Sequence, residues 1–277
     1  MPLRITTLSE NTAGLPEVLA EWGISVLVET GDLKILFDTG ASISVPHNAP
    51  IFGLDLSTID RIVLSHGHYD HTGGLNEVLK QIGKQTDVIA HPDIWAKKYR
   101  RVGDRERYIG IPFSKEELEA LGATFTLTKD PVWITDDIVT TGEIAMTEKF
   151  EELDPDMYVK ESGDWHRDEL WDDRALIIVT DEGLVIILGC AHRGVINTLR
   201  HAQELTGVEL IHTVIGGMHL TRTSEERVLR TAAALQELGV QRVGVSHCTG
   251  LPAAVLLAQQ LGEALFFNYT GTSITVP

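Results

Sequence analysis

The chain has 277 residues, 43% of them hydrophobic and 23% charged, which is enough apolar side chain for one sizeable core. Its formal net charge of −17 repels a phosphate backbone, so no nucleic-acid partner is expected. Two cysteines build no disulfide scaffold, and no apolar run approaches the length of a membrane span. Residues 1–7 lack the charged-then-apolar pattern of a secretory signal, so a cytoplasmic enzyme is the expectation.

In chain order, β-type runs occur at 24–29, 34–37 and 61–64, then at 87–90, 175–180 and 184–188, and finally at 210–215, 242–245 and around Ile274. Helical periodicity occupies 75–82, 114–121, 194–205, 224–238 and 252–261. The stretch 224–238 is the best defined. Ser224 can cap it, Glu225 and Glu226 suit its first turn, and Gly239 stops it. Val228, Ala232, Leu235 and Leu238 give it one apolar stripe. Early strands cluster and later ones alternate with helices, which predicts a single α+β domain over 1–277 with central sheets and outer helices. Residues 97–142 read as an insertion over that core.

The densest chemistry follows the run 61–64. Ser65-His66-Gly67-His68-Tyr69-Asp70-His71 places three imidazoles and a carboxylate within six residues, and these are ligand types that zinc and similar cations accept. His66 and His68, two apart, can point the same way from an extended loop. Asp70 and His71 fall on the next turn, where they can hold a second ion, and Gly67 permits the tight path. A merely histidine-rich surface loop is the bland alternative. It is disfavoured because so many polar groups at one strand end are costly without partners.

These residues resemble the His-x-His-x-Asp-His motif of the metallo-β-lactamase superfamily. Leu36-Phe37-Asp38-Thr39-Gly40 resembles the strand end that supports that motif, and on this resemblance Asp38 orients ligands rather than binding metal. Thr141-Gly142-Glu143-Ile144, Leu188-Gly189-Cys190-Ala191-His192, Gly216-Gly217-Met218-His219-Leu220 and Ser246-His247-Cys248-Thr249-Gly250 are similar to one subfamily. It is the group resembling the archaeal dihydropterin ribofuranosylaminobenzene phosphate synthase, and the resemblance spans nearly the whole chain. It implies a four-layer αβ/βα sandwich with two central mixed sheets and outer helices. It also implies zinc, one or two ions, with iron or manganese as alternatives.

The resemblance further implies roles for later residues. His247 stands where the superfamily places its last histidine ligand. His219 has the spacing at which phosphodiesterase branches carry a histidine that stabilises the transition state. Cys190 replaces the usual bridging aspartate, and Asp172-Asp173-Arg174 replaces the usual histidine before the preceding strand. His192 is therefore expected to supply the missing imidazole, and Cys190 is either a ligand or bridge or a small buried apolar group. A thiolate would favour zinc or iron over manganese.

His91 reads as a structural histidine with substrate contact as the alternative, His166 as part of a loop or lid, and His47, His201 and His212 as structural. Lys97-Lys98-Tyr99-Arg100-Arg101, with Arg105 and Arg107, is either a solvated insertion or a lid gripping phosphate or carboxylate. Thr249-Gly250 and Gly194 mark helix starts that could also hold an anion. A small anionic substrate is the expectation, and a homo-oligomer is left open. Three functions compete. The first is hydrolysis of a small anionic ester, lactone or phosphoester by metal-bound hydroxide, with Asp70 and His219 as catalytic side chains. The second is a pterin-transferring synthase, and the third a non-catalytic metal-containing protein that binds a ligand.

Overall fold

Strands rich in valine, isoleucine and leucine dominate both halves of the chain and assemble into two sheets stacked face to face. The structure is a computed structural model that describes residues 3–31 and 33–277. The first sheet holds β1 (Leu3–Ser9), β2 (Ser25–Thr30), β3 (Leu33–Phe37), β4 (Arg61–Val63), β5 (Thr86–Ala90), β8 (Ala123–Leu127) and β17 (Ser273–Val276), in the order β17-β1-β2-β3-β4-β5-β8. It is parallel from β3 through β8 and antiparallel at β17, β1 and β2.

The second sheet holds β9 (Ile138–Thr140), β12 (Ala175–Thr180), β13 (Gly183–Leu188), β14 (Ile211–Gly217), β15 (Arg242–Ser246) and β16 (Leu265–Phe267), in the order β16-β15-β14-β13-β12-β9. It is parallel from β13 to β16 and antiparallel at β12 and β9. The sheets meet through Val26, Val28, Phe37 and Val63 on one side and Leu176, Val185 and Ile187 on the other.

Helices α1 (Ser44–Ile51), α3 (Leu75–Ile82) and α4 (Lys115–Glu119) cover the outer face of the first sheet through Val45, Leu75, Leu79 and Leu118. Helices α5 (Val195–Thr206), α6 (Glu225–Glu237) and α7 (Leu251–Leu261) cover the second through Val195, Leu199, Val228, Leu235 and Leu257. The architecture is the expected four-layer sandwich. Ser224 caps α6 as its sequence predicts, its side chain accepting from Arg227 N–H. Among the described residues no helix is long and apolar enough to cross a membrane.

The extent of the insertion differs from expectation. A separate antiparallel sheet, ordered β11-β10-β6-β7, combines β6 (Lys98–Val102) and β7 (Arg105–Tyr108) with β10 (Met157–Glu161) and β11 (Asp164–Arg167). Only the start of 97–142 belongs to it, because β8 and β9 are core strands. Its other half comes from a later stretch. Ile109, Met157 and Leu170 anchor this flap, and Tyr69, from the one-turn helix α2 (Tyr69–Thr72), packs against them.

Candidate metal centre

The first sheet delivers its donors from one loop. Asp38, at the end of β3, grips the turn after β4 from behind. Its Oδ1 accepts from Ser65 N–H at 2.7 Å, and its Oδ2 accepts from Ser65 Oγ at 2.7 Å and from His71 Nδ1 at 2.7 Å. Ser65 has one proton and donates it to Asp38. His66 Nδ1, 2.8 Å from the same hydroxyl, is therefore the donor in that contact, and its Nε2 keeps a lone pair. On the other side Asp172 Oδ2 accepts from Gly67 N–H at 2.8 Å. Lys98, only 1% exposed, neutralises that carboxylate at 2.9 Å and Asp168 at 2.8 Å, tying the flap to the motif loop.

The second sheet delivers donors from several strand ends. Cys190 and His192 follow β13, His219 follows β14 and His247 follows β15, parallel neighbours whose ends line up. Ala191, His219 and His247 have φ of 50°, 47° and 51°, so backbone strain gathers where the donors are aimed. Gly189 lets this sheet close on the first, since a Cβ there would lie 2.2 Å from Ser65 Oγ.

The two sets of donors meet. His66 Nε2 lies 2.9 Å from His68 Nδ1 and 3.2 Å from His192 Nε2. Cys190 Sγ lies 3.2 Å from His71 Nε2, and His247 Nε2 lies 3.4 Å from Asp70 Oδ2. Donor atoms of His66, His68 and His192 all fall within 4.8 Å of one another, as do those of Asp70, His71 and His247, and those of Cys190, His66 and His71.

Burial holds His66, His68 and His192 below the usual imidazole range, His68 at about 3, leaving neutral rings with lone pairs converging. In the second set burial opposes charge on His71, but Asp38 and Asp70 outweigh it and raise the ring to about 9. Burial also opposes charge on Asp70, yet His71 and His247 hold its carboxyl below the usual carboxylate range. Among the described residues, His68 Nε2, His192 Nδ1 and His247 Nε2 are buried with no hydrogen-bond partner. The neutral imidazoles of His66, His68 and His192 fit one divalent cation, and a second beside the ionised Asp70 would displace the proton that Asp38 and Asp70 favour on His71.

A family model described as the metallo-beta-lactamase superfamily matches residues 23–195. The chain belongs to that superfamily. Metallo-β-lactamase-fold proteins bind metal ions, and the two donor clusters here suit that property. The chain is 34% identical to the 7,8-dihydropterin-6-methyl-4-(beta-D-ribofuranosyl)-aminobenzene-5'-phosphate synthase of Methanocaldococcus jannaschii, over 94% of this chain and 92% of that one. An uncharacterised protein of the same archaeon is 33% identical over 92% and 94%. The crystal structure of Tm1679, described as a metal-dependent hydrolase of the beta-lactamase superfamily, matches with a TM-score of 0.86 at 30% identity over 99% of both chains.

A cavity of about 440 Å³ opens over the donors. His219 lines it, its ring centroid 4.2 Å from that of His192 and its Nε2 3.6 Å from Asp154 Oδ2. Burial opposes charge on His219, but Asp154 and Cys248 raise it to about 9. Arg100 reaches the cavity, paired with Asp156 at 3.1 Å.

The other expected site residues fall in different places. Arg101, the next residue on β6, faces away and stacks over Tyr158 and Trp165, because side chains alternate along a strand. His91 is buried outside the cavity, with Nε2 3.1 Å from Glu143 and Nδ1 accepting from Asp93 N–H, partners that suit the structural expectation for it. Thr249 accepts from Met218 N–H and lines the cleft that adjoins the metal cavity. The start of α5 holds no free anion site, because Glu151 accepts from Ile196 and Asn197 N–H there. His166 lies exposed on β11.

The sequence reading also missed contributors. Cys248, directly after His247, brings a second thiol: its Sγ lies within 4.8 Å of Cys190 Sγ. Burial pushes the Cys190 thiol up, whereas Cys190, His247 and His219 hold Cys248 down against the same burial. Its position beside a suspected ligand was the available signal. Trp22, Asp154 and Arg222 also line the cavity, but as single loop residues they carry no local pattern.

Proposed function

We propose that this protein is a metal-dependent transferase that joins a pterin-type group to a phosphorylated ribofuranosyl acceptor. The observation that carries this reading is the 34% identity, spanning nearly all of both chains, to a synthase whose name describes such a product. The cavity supports it by presenting Trp22 and Tyr69 for flat rings beside Arg100, Arg107 and Arg222 for phosphate. His66, His68 and His192 would hold one ion and Asp70, His71 and His247 a second, with Cys190 between them. Mixed nitrogen, oxygen and sulfur donors favour zinc, with iron or manganese as alternatives. Such ions supply positive charge that polarises substrate oxygens and stabilises a departing anion.

The chain's own residues do the rest. Arg100, Arg107 and Arg222 hold phosphate oxygens, and Asp70 fixes the second donor set. The acceptor's amine nitrogen bonds to the pterin methylene carbon while the bond from that carbon to the leaving oxygen breaks. His219, cationic beside Asp154, gives a proton to that oxygen and regains one from the amine.

The test supplies metal-loaded protein with a dihydropterin diphosphate ester, ribofuranosylaminobenzene 5'-phosphate, or both. Coupled product is expected only with both, and is lost in His66→Ala. A second reading, hydrolysis of a small anionic ester, lactone or phosphoester, is favoured by the likeness to Tm1679. Turnover of a phosphodiester or lactone with no acceptor present would favour it over transfer.

A further inference from the structure

The metal cavity continues past its donors. Through Trp22, Thr221 and His247 it opens into a second cleft of about 470 Å³. This cleft lies between the loop joining β1 to β2, the start of α7 and the segment after β16. Three aromatic side chains form its walls: Trp22, Phe267 and Tyr269, which are 50%, 48% and 42% exposed. Three half-exposed aromatics beside one cleft mark a surface that a ligand covers. Tyr269 is held in position, for its ring lies on the Gly14 backbone where a Cβ would come within 2.3 Å of it.

The floor of the cleft is polar and incomplete. Asn268 Oδ1 accepts from Thr7 Oγ at 2.8 Å and its backbone N–H donates to Val245 O, which fixes the side chain. Its Nδ2 and the Oγ of neighbouring Ser246 are nevertheless buried with no hydrogen-bond partner among the described residues. Orphaned polar groups at that depth are expensive unless a ligand completes them. Among the described lining residues there is no lysine or arginine. Phosphate therefore belongs with Arg100, Arg107 and Arg222 in the metal cavity, not here.

We infer that this cleft seats the planar nitrogen heterocycle of the donor, a pterin ring lying against Trp22, Phe267 and Tyr269. The polar edge of the ring faces the cleft floor at Ser246 and Asn268. The inference rests on the transferase reading and adds to it a division of the site. The ring sits beyond His247, whose own ring centroid is 5.2 Å from that of Trp22, and the phosphates sit across the metal donors from it. The carbon that changes partners then lies between the two, beside Asp70 and His247.

The experiment titrates 6-hydroxymethylpterin, which is fluorescent, into the metal-loaded full chain. Phe267→Ala and Tyr269→Ala are compared with the wild type, because both side chains are half exposed and their removal spares the core. Each variant is expected to weaken pterin binding by about ten-fold or more while its metal content stays unchanged. Equal pterin affinity in wild type and both variants would overturn the cleft assignment and leave the transferase reading standing. No pterin binding by the wild type, together with no coupled product, would remove both. A dimer that Phe267→Ala dissolves while pterin affinity stays constant would assign these aromatics to a second copy of the chain, and that too overturns the inference.

Discussion

The two sheets bring donors to one centre by different physical means. The first sheet supplies His66, His68, Asp70 and His71 from a single loop that is hydrogen-bonded from behind by Asp38, Ser65 and the Lys98–Asp172 pair. The second supplies Cys190, His192, His219 and His247 from three strand ends, with left-handed backbone at Ala191, His219 and His247. His192 Nδ1 and His219 Nδ1 have no partner among the described residues. The first half is fixed through one buried carboxylate; in the second, Asn11 and Glu10 brace His247, whereas His192 and His219 are aimed by backbone and completed by what they bind. The first should hold its shape without metal, and the second should loosen.

The largest expected effect tests that contrast directly. Asp38→Ala leaves three buried donors, Ser65 N–H, Ser65 Oγ and His71 Nδ1, without their acceptor. In chelator it should cost ~3–5 kcal/mol of unfolding free energy, read from urea titration. With metal supplied, affinity should fall by about 10–100-fold. His192→Asn should also lose metal but cost less than ~1.5 kcal/mol in chelator, because its outer nitrogen has nothing to lose. Equal losses in chelator would mean that the two halves are held alike.

A smaller, spectroscopic effect concerns the thiol at the junction of the halves. With cobalt in place of the native metal, thiolate ligation gives an intense near-ultraviolet charge-transfer band. Cys190→Ser should remove it and Cys248→Ser should keep it, since Cys190 shares the clusters of His66 and His71 whereas Cys248 does not. A band that survives in Cys190→Ser but not in Cys248→Ser would move the junction to the other thiol.

The same contrast explains what could be read from the sequence. The motif loop was legible because its donors are neighbours in the chain. β13 was legible because burial on both faces makes it a nearly continuous apolar run, and β14 and β15 keep apolar centres at Val214-Ile215 and Val243–Val245. β1 was not, because its Thr6, Thr7 and Ser9 are buried polar residues that weaken the apolar pattern. The flap strands, Lys-Tyr-Arg-Arg-Val and Arg-Glu-Arg-Tyr, look like solvated loop because their order comes from aromatic and cation stacking. Arg100 and Arg101 were indistinguishable until pairing fixed which face each takes, and a register shift of one would exchange them. His192 could be anticipated only from the resemblance, as a replacement for an expected ligand.

Glu151 tests the second-sheet side from behind, away from the donors. The start of α5 looked in sequence like a place for a substrate anion, but this side chain, 3% exposed, occupies it and accepts from Ile196 N–H at 2.9 Å and Asn197 N–H at 2.8 Å. Burial raises its carboxyl to about 7 despite those hydrogen bonds. The ordinary value in an unfolded chain is about 4.3, so the folded state binds this proton more tightly. Its contribution to stability is therefore fullest below about pH 4.3, declines as pH rises toward 7, and is lost above. The wild type should lose on the order of 2 kcal/mol between pH 5 and pH 7 from this group, measured by urea unfolding in chelator. Glu151→Gln, which cannot ionise, should show a flatter profile over the same interval and gain on the wild type at pH 8. Parallel profiles would mean that the carboxylate stays charged across the range, and α5 would then begin on a full negative charge that its helix dipole, rather than a proton, compensates.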